Sequence, residues 1–85
     1  MLAIPIQSDA TPVYAFDARG VARRLRAPAV FAALDALRAG ETMRLTDDAG
    51  SQRLLEQIGE RYAARVSYHY VERGADRVVI DFCRL

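Results

Sequence analysis

The sequence predicts an α/β chain of the α+β two-layer sandwich type, with the order βαβαββ. Apolar residues recur at every second position in four segments and at helical spacing in two others. The first three strands are separated by the two helical segments, and a hairpin closes the chain. Because parallel strands joined by a helix cross over right-handedly, both helices are expected on one face of a mixed four-stranded sheet.

Length and composition favour one domain. The 85 residues carry a net charge of +1 and a single cysteine, which excludes an internal disulfide and favours a reducing compartment. Residues 1–12 are predicted to be a loose lead-in, and 13–85 a single domain. The lead-in has no basic stretch and is interrupted by Pro5, so it resembles neither a signal peptide nor a membrane span. We therefore expect a cytoplasmic protein that does not associate with membranes.

The first β-α-β unit is the clearest part of the pattern. The first strand is expected at 13–17, and Gly20 ends it. The first helix is expected to begin near Pro28, because proline suits a first-turn position, and to end near Ala39. Gly40 then provides a left-handed C-cap.

The second strand is expected at 41–47, followed by a turn that offers N-caps for the next helix from Asp47, Asp48, Gly50 and Ser51. The inner face of that helix is predicted to carry Leu54, Leu55, Ile58 and Tyr62. Gly59 in the helix interior costs about 1 kcal/mol relative to alanine, which close packing at this point would explain.

The terminal hairpin has two alternating apolar sets, Val66, Tyr68 and Tyr70 on one strand and Val78, Ile80 and Phe82 on the other. If Glu72 faces Asp76, Tyr70 faces Val78, and all six apolar side chains share one face. A slip of one residue would expose half of them to solvent. The pattern therefore predicts this register, with both tyrosines in the core.

The order of elements, the strand ending FDARG and the segment RAPAVFAALDALRAGE at 26–41 support a resemblance. Together they resemble the TusA/SirA-like sulfur-carrier superfamily, over nearly all of 13–82. The segment is closest to a cysteine-less, uncharacterised branch (a domain of unknown function) whose helix is roughly R-H-P-x-I-F-x-x-F-D-x-L-x-P-G-E. The resemblance implies a TusA-like fold.

Departures from the superfamily pattern limit what the resemblance implies. Its sulfur carriers have Cys-Pro-x-Pro at the start of the first helix, and Arg23 and Arg24 occupy the first two of those positions here. A guanidinium cannot accept sulfur, because that chemistry needs a thiolate. Histidines typical of the branch are replaced by Ala27 and Ala49. The resemblance therefore implies neither sulfur carriage by this helix nor a histidine-dependent role.

Charged residues gather at the ends of the first two strands, where a binding site for a small anion or a partner protein would lie: Asp17, Arg19, Arg23, Arg24, Arg26, Asp47 and Asp48. A helix N-terminus offers free N–H groups and a partial positive charge, and nearby guanidiniums strengthen an anion site. The competing interpretations are a solvated turn for the arginines, and turn or capping chemistry for Asp47 and Asp48.

No catalytic constellation is apparent, and no metal or other cofactor is predicted. Ser67, His69 and Asp81 should lie together on the open sheet face, but a flat sheet supplies no pocket and no oxyanion donors. His69 has no second histidine or cysteine at ligand spacing. A non-enzymatic protein is expected.

The predicted function is therefore an interaction or small-anion-binding domain, existing as a monomer or a homodimer. One alternative is a sulfur-transfer or redox accessory protein that acts through a reactive thiol at Cys83. The other is an RNA-binding module that uses the basic turn. Nucleic acid is the weaker partner class, because the arginines lack interleaved aromatic residues and the net charge is close to zero.

Overall fold

The structure, a computed structural model, describes residues 12–48 and 51–85 and has the predicted order of elements. Its helices and strands are β1 Val13–Asp17, α1 Arg23–Ala36, β2 Thr42–Asp48, α2 Gln52–Tyr62, β3 Val66–Arg73 and β4 Arg77–Arg84. Two short 3₁₀ helices lie at Ala18–Gly20 and Ala63–Arg65. The predicted lead-in, apart from Pro12, lies outside the described residues.

The four strands form one mixed sheet in the order β1-β2-β4-β3. β1 and β2 are parallel, and β4 pairs antiparallel with both β2 and β3. The core contains Val30 and Leu34 of α1, Leu54, Ile58 and Tyr62 of α2, and Met43, Leu45, Val78, Ile80 and Phe82 of the sheet. The two helices therefore cover the same face of the sheet, which confirms the predicted α+β sandwich.

The predicted bounds of α1 are wrong at both ends. The helix begins at Arg23, so that Pro28 lies inside it, where a missing N–H leaves one ladder hydrogen bond unmade. Contacts made by the turn before Pro28 offset this cost: Arg26 donates to Asp47 and Asp48, and Ala27 packs against the core. The helix ends at Ala36, and Gly40 has the expected positive φ of 88° in the turn beyond it.

The predicted register of the hairpin is also wrong, by two residues. Tyr68 faces Phe82 and Tyr70 faces Ile80. Next to the turn Arg73 faces Val78, which is three residues from the predicted register, and one extra residue of β3 at Val71 reduces this difference to two. An even shift leaves every side chain before the bulge on its predicted face. Tyr68 nevertheless remains 49% exposed, since β3 lies at the edge of the sheet, so its predicted place in the core is wrong.

Close packing does not explain the glycine inside α2. A Cβ added at Gly59 would meet no atom within 4 Å. One turn later, Ala63 follows the helix with φ 50° and ψ −127°, a conformation that side chains disfavour. The glycine and the strained backbone thus occur at different positions of the same helix end.

Candidate functional site

The structure gathers the predicted charged residues at one end of the molecule, because the parallel strands β1 and β2 end side by side and α1 begins next to them. We call this group the charged cluster: Asp17, Arg19, Arg23, Arg24, Arg26, Asp47 and Asp48. Three of its arginines lie in the first turn of α1, and not in the preceding turn as predicted.

Arg26 lies at the centre of the charged cluster, and its guanidinium is engaged in hydrogen bonds with other groups of the protein. Its Nη1 lies 3.1 Å from Asp47 Oδ1 and 2.8 Å from Asp48 Oδ2, and its Nε donates to the carbonyl of Val21 at 2.8 Å. The Arg26 side chain is only 14% exposed. It therefore joins the start of α1 to the end of β2, and it is not free to bind a ligand.

Arg19 is likewise satisfied from within the chain. Its Nε and Nη2 donate to the two carboxylate oxygens of Asp17 at 2.9 and 2.7 Å, and its backbone N–H donates to Asp17 Oδ1 at 3.0 Å. These hydrogen bonds lower the pKa of Asp17 from 3.8 to about 2. Asp17 thus caps the first 3₁₀ helix, and its ion pair with Arg19 is internally neutral.

Arg23 and Arg24 are the open part of the charged cluster. The Arg23 side chain is 79% exposed, and its closest carboxylate oxygen, on Asp48, lies 3.9 Å away. Arg24 is exposed and forms no ion pair with the carboxylates of residues 12–48 and 51–85. Ala22 is the N-cap of α1 and has no side chain able to bond the first-turn N–H groups. Two guanidiniums therefore stand next to an uncapped helix N-terminus.

The two aspartates at the end of β2 do not form the predicted turn. Asp47 is buried and faces the helices, and its Oδ1 also accepts a hydrogen bond of 2.8 Å from the N–H of Asp48. The N-cap of α2 is Ser51, which makes no side-chain capping bond. The predicted capping role of Asp47 and Asp48 is wrong. The alternation of Met43 and Leu45, continued by one step, would have placed Asp47 on the inner face.

A second charged group lies on the open face of the sheet. Arg44 donates to both carboxylate oxygens of Asp81, at 2.8 and 2.9 Å, and this lowers the pKa of Asp81. His69 Nε2 is 3.8 Å from the same carboxylate. Asp81 is therefore held by Arg44 and not oriented towards His69, so the geometry favours a structural ion pair between a buried carboxylate and a half-exposed arginine.

Cys83 lies on β4, an interior strand of the sheet, between Thr42 of β2 and Ser67 of β3. Its side chain is half-buried on the open face, and Sγ contacts the carbonyl of Arg84 at 3.8 Å. The helices, and with them the start of α1, lie on the opposite face. The structure thus separates the thiol from the charged cluster.

Sequence reasoning missed the polar contact between the helices. The buried hydroxyl of Tyr62 lies 2.7 Å from Asp35 Oδ1 and 3.1 Å from the carbonyl of Phe31. Burial and the neighbouring carboxylate raise the pKa of Tyr62, and the same hydrogen bond lowers the pKa of Asp35. Arg61 stacks over the Phe31 ring at 4.9 Å. These contacts span 27 to 31 residues of sequence, so no local sequence pattern predicts them.

A groove of about 540 Å³ runs between β1 and the end of α1. Apolar side chains line most of it, among them Phe16, Ala33 and Met43, and Arg38 and Glu41 lie at its polar side. Glu41 is engaged with the backbone N–H of Arg38 at 2.7 Å and with the Tyr14 hydroxyl at 3.2 Å. This groove lies away from the charged cluster.

The fold and the charged cluster define a small α+β domain with a basic helix start anchored by a buried arginine. The chain belongs to the DUF2249 family, described as an uncharacterised conserved protein, whose family model matches residues 15–84. No curated protein and no solved structure matches the chain.

Residues 12–48 and 51–85 contain neither a membrane-spanning helix nor a cluster of metal-binding side chains. No helix there is both long enough and apolar enough to span a membrane. Those residues also include no group of three or more histidine, cysteine, aspartate or glutamate side chains placed to hold a metal ion.

Proposed function

We propose that the protein is a non-enzymatic binding domain of TusA-like fold, which recognises an anionic group through the start of α1. The anionic group is a carboxylate or phosphate, carried by a partner protein or present as a small anion. One observation carries the proposal: within 12–48 and 51–85, Arg23 comes no closer than 3.9 Å to a carboxylate oxygen and Arg24 forms no ion pair, and both stand beside a helix N-terminus without a side-chain cap.

The physical basis is the sum of three attractions for an anion at one place. The first-turn N–H groups of a helix point outwards and carry a partial positive charge, which favours anions. The guanidiniums of Arg23 and Arg24 add charge-assisted hydrogen bonds in a forked geometry. Arg26 fixes the position of this helix start through Asp47 and Asp48, so binding requires little ordering of the backbone.

The TusA-like resemblance supports the same location. In the sulfur carriers that the chain resembles, the reactive cysteine stands at the start of the first helix, and Arg23 takes that position here. A surface that presents a thiolate to partner enzymes in one branch can present a guanidinium to a partner in another. The proposed role is therefore recognition without sulfur transfer.

The test is the double variant Arg23→Ser/Arg24→Ser, with Arg38→Ser/Arg53→Ser as control. The control removes the same charge from exposed positions outside the cluster. Inorganic phosphate is titrated into each protein, and backbone amide shifts are followed by NMR. We expect saturable shifts at residues 22–25 in the wild type and the control, and at least a tenfold weaker affinity in the double variant. Equal affinity in all three proteins would contradict a small-anion site.

A protein-borne anion needs a second measurement. Photo-crosslinking from position 25, which is 49% exposed beside the arginines, is carried out in the native host. We expect a discrete crosslinked partner that disappears with Arg23→Ser/Arg24→Ser and persists with the control pair. A crosslink that persists in the Arg23→Ser/Arg24→Ser variant would argue against recognition by these arginines.

The two alternative functions make different predictions. A sulfur-transfer or redox role through Cys83 requires persulfide loading from a sulfurtransferase, which Cys83→Ser would abolish. An RNA-binding role requires an affinity for RNA that falls steeply as salt rises. Neither result is expected if recognition at the start of α1 is the function.

A further inference from the structure

The outer edge of β3 carries a row of backbone groups that have no partner in the described residues. Within 12–48 and 51–85, β3 pairs with β4 alone. The N–H of Leu85 donates to the carbonyl of Arg65 at 2.8 Å, which makes these two residues a hydrogen-bonded pair. Because such pairs alternate in an antiparallel ladder, the N–H and C=O groups of Val66, Tyr68 and Tyr70 point away from β4.

This edge lacks the features that usually prevent strands from pairing. Residues 66–70 contain no proline, no carboxylate and no guanidinium, and the bulge at Val71 lies beyond them. On the helix side, Tyr68 and Tyr70 line a groove of about 460 Å³ with Leu55 of α2. The half-exposed Tyr68 ring is supported from beneath by Phe82, with a centroid distance of 5.9 Å. The edge is therefore regular, ordered and partly apolar.

We propose that β3 pairs antiparallel with β3 of a second copy of this chain, with the two-fold axis at Tyr68. The two sheets of four strands then become one continuous sheet. Tyr68 faces the second copy's Tyr68, and Tyr70 faces the second copy's Val66. The backbone N–H and C=O groups of these residues point away from β4. In the dimer, each copy's groups form hydrogen bonds with those of the other copy.

Side-chain chemistry agrees with this register on both faces of the sheet. On the helix side, the pairs are aromatic with aromatic and aromatic with β-branched, which are favourable cross-strand combinations. On the open side, Ser67 faces the second copy's His69, and both are polar. Because serine carries no charge, this pair opposes no like charges. A two-fold axis at Tyr70 would instead bring the bulge and Glu72 into the pairing.

The register is tested by disulfide formation in a Cys83→Ser background, because Cys83 lies opposite Ser67 within the chain. Ser67→Cys and His69→Cys are prepared separately and mixed under oxidising conditions. Their Cα atoms would be about 4.5 Å apart across the two-fold, which is within disulfide range. We expect a covalent dimer from the mixture, and at least tenfold less from either variant alone. Mixed Val13→Cys and Ala15→Cys on β1 serve as control.

Sedimentation at rising protein concentration provides an independent measurement. We expect a dimer for the wild type and for Tyr14→Lys, and a monomer for Tyr68→Lys with an unchanged circular dichroism spectrum. Tyr14 and Tyr68 are similarly exposed and lie on the two outer strands, so the pair separates edge pairing from general loss of apolar surface. A wild type that remains monomeric at millimolar concentration, or equal crosslinking at β1 and β3, would overturn the proposal.

Discussion

At the scale of single residues, Arg26 is the side chain on which the site most depends. It is nearly buried, and it bonds two carboxylates and a backbone carbonyl on separate parts of the chain. Removing one partner of a buried ion pair leaves the other charge without compensation. The geometry of the charged cluster is thus inseparable from the stability of the domain.

Arg26→Ala should therefore lower the free energy of unfolding by about 3–5 kcal/mol, because Asp47 is left buried without its partner. Arg23→Ala, in the same helix turn but exposed, should change it by less than about 1 kcal/mol. Urea denaturation of both variants measures the difference. Equal losses for the two variants would show that Arg26 stabilises the fold only as a surface arginine.

Acid stability is set by carboxylates whose pKa is lowered in the folded state, namely Asp17, Asp35 and Asp81. A group of this kind stabilises the fold above its unfolded pKa and loses that contribution as the pH falls through its folded pKa. For Asp17 the window runs from 3.8 down to about 2. The urea midpoint should fall across this range, and less steeply in Asp17→Asn. An NMR titration that places the Asp17 carboxyl near 3.8 would contradict this expectation.

At the scale of elements, the end of α2 has two residues that are poorly matched to their positions. Gly59 lies inside the helix, where alanine is favoured, and Ala63 follows the helix with a positive φ, which favours glycine. Gly59→Ala should stabilise the protein by about 1 kcal/mol, because the added methyl group meets no atom and alanine favours the helix. Ala63→Gly should also stabilise it by about 1 kcal/mol, since relief of strain exceeds the entropic cost of glycine. Thermal unfolding of each variant measures both effects. Destabilisation by Gly59→Ala would indicate a neighbour beyond the described residues.

The strands and helices also show which features of the fold the local sequence pattern is sufficient to predict. Alternation located the strands and their faces, because a period of two survives an even register shift such as the two-residue shift of 66–70. Alternation could not locate the bulge, because the bulge has no signature in the amino-acid composition. The predicted start of α1 failed because the local preference of Pro28 is outweighed by contacts of the preceding turn, where Arg26 bonds Asp47 and Asp48 and Ala27 packs against the core. Tertiary contacts outweigh local propensity in this case.

For the candidate site too, the sequence predicts some features and not others. Its location followed from the sequence, because parallel strands place their carboxyl ends together. Which arginines remain free did not follow, since Arg26 meets Asp47 and Asp48 across 21 and 22 residues. Nor did the exposure of Tyr68, which depends on β3 being an outer strand.

At the scale of the whole molecule, two surfaces have separate roles in the proposals. The start of α1 is assigned to anion recognition and the outer edge of β3 to pairing with a second copy. β1 and β3 are the outer strands of the described sheet, and the charged cluster lies at the end of β1. Pairing through β3 would therefore place two clusters at opposite sides of a dimer, both accessible to a divalent partner.

The central position of β4 has a consequence for biosynthesis. Among the four strands of the sheet, the strand at 77–84 emerges from the ribosome last, yet it pairs with both β2 and β3 and contributes Val78, Ile80 and Phe82 to the core. Until it has been synthesised, β2 and β3 are not joined and both helices lack part of their packing surface. The domain therefore cannot complete its fold before β4 has emerged, and a chain interrupted before residue 77 should be a substrate for proteolysis.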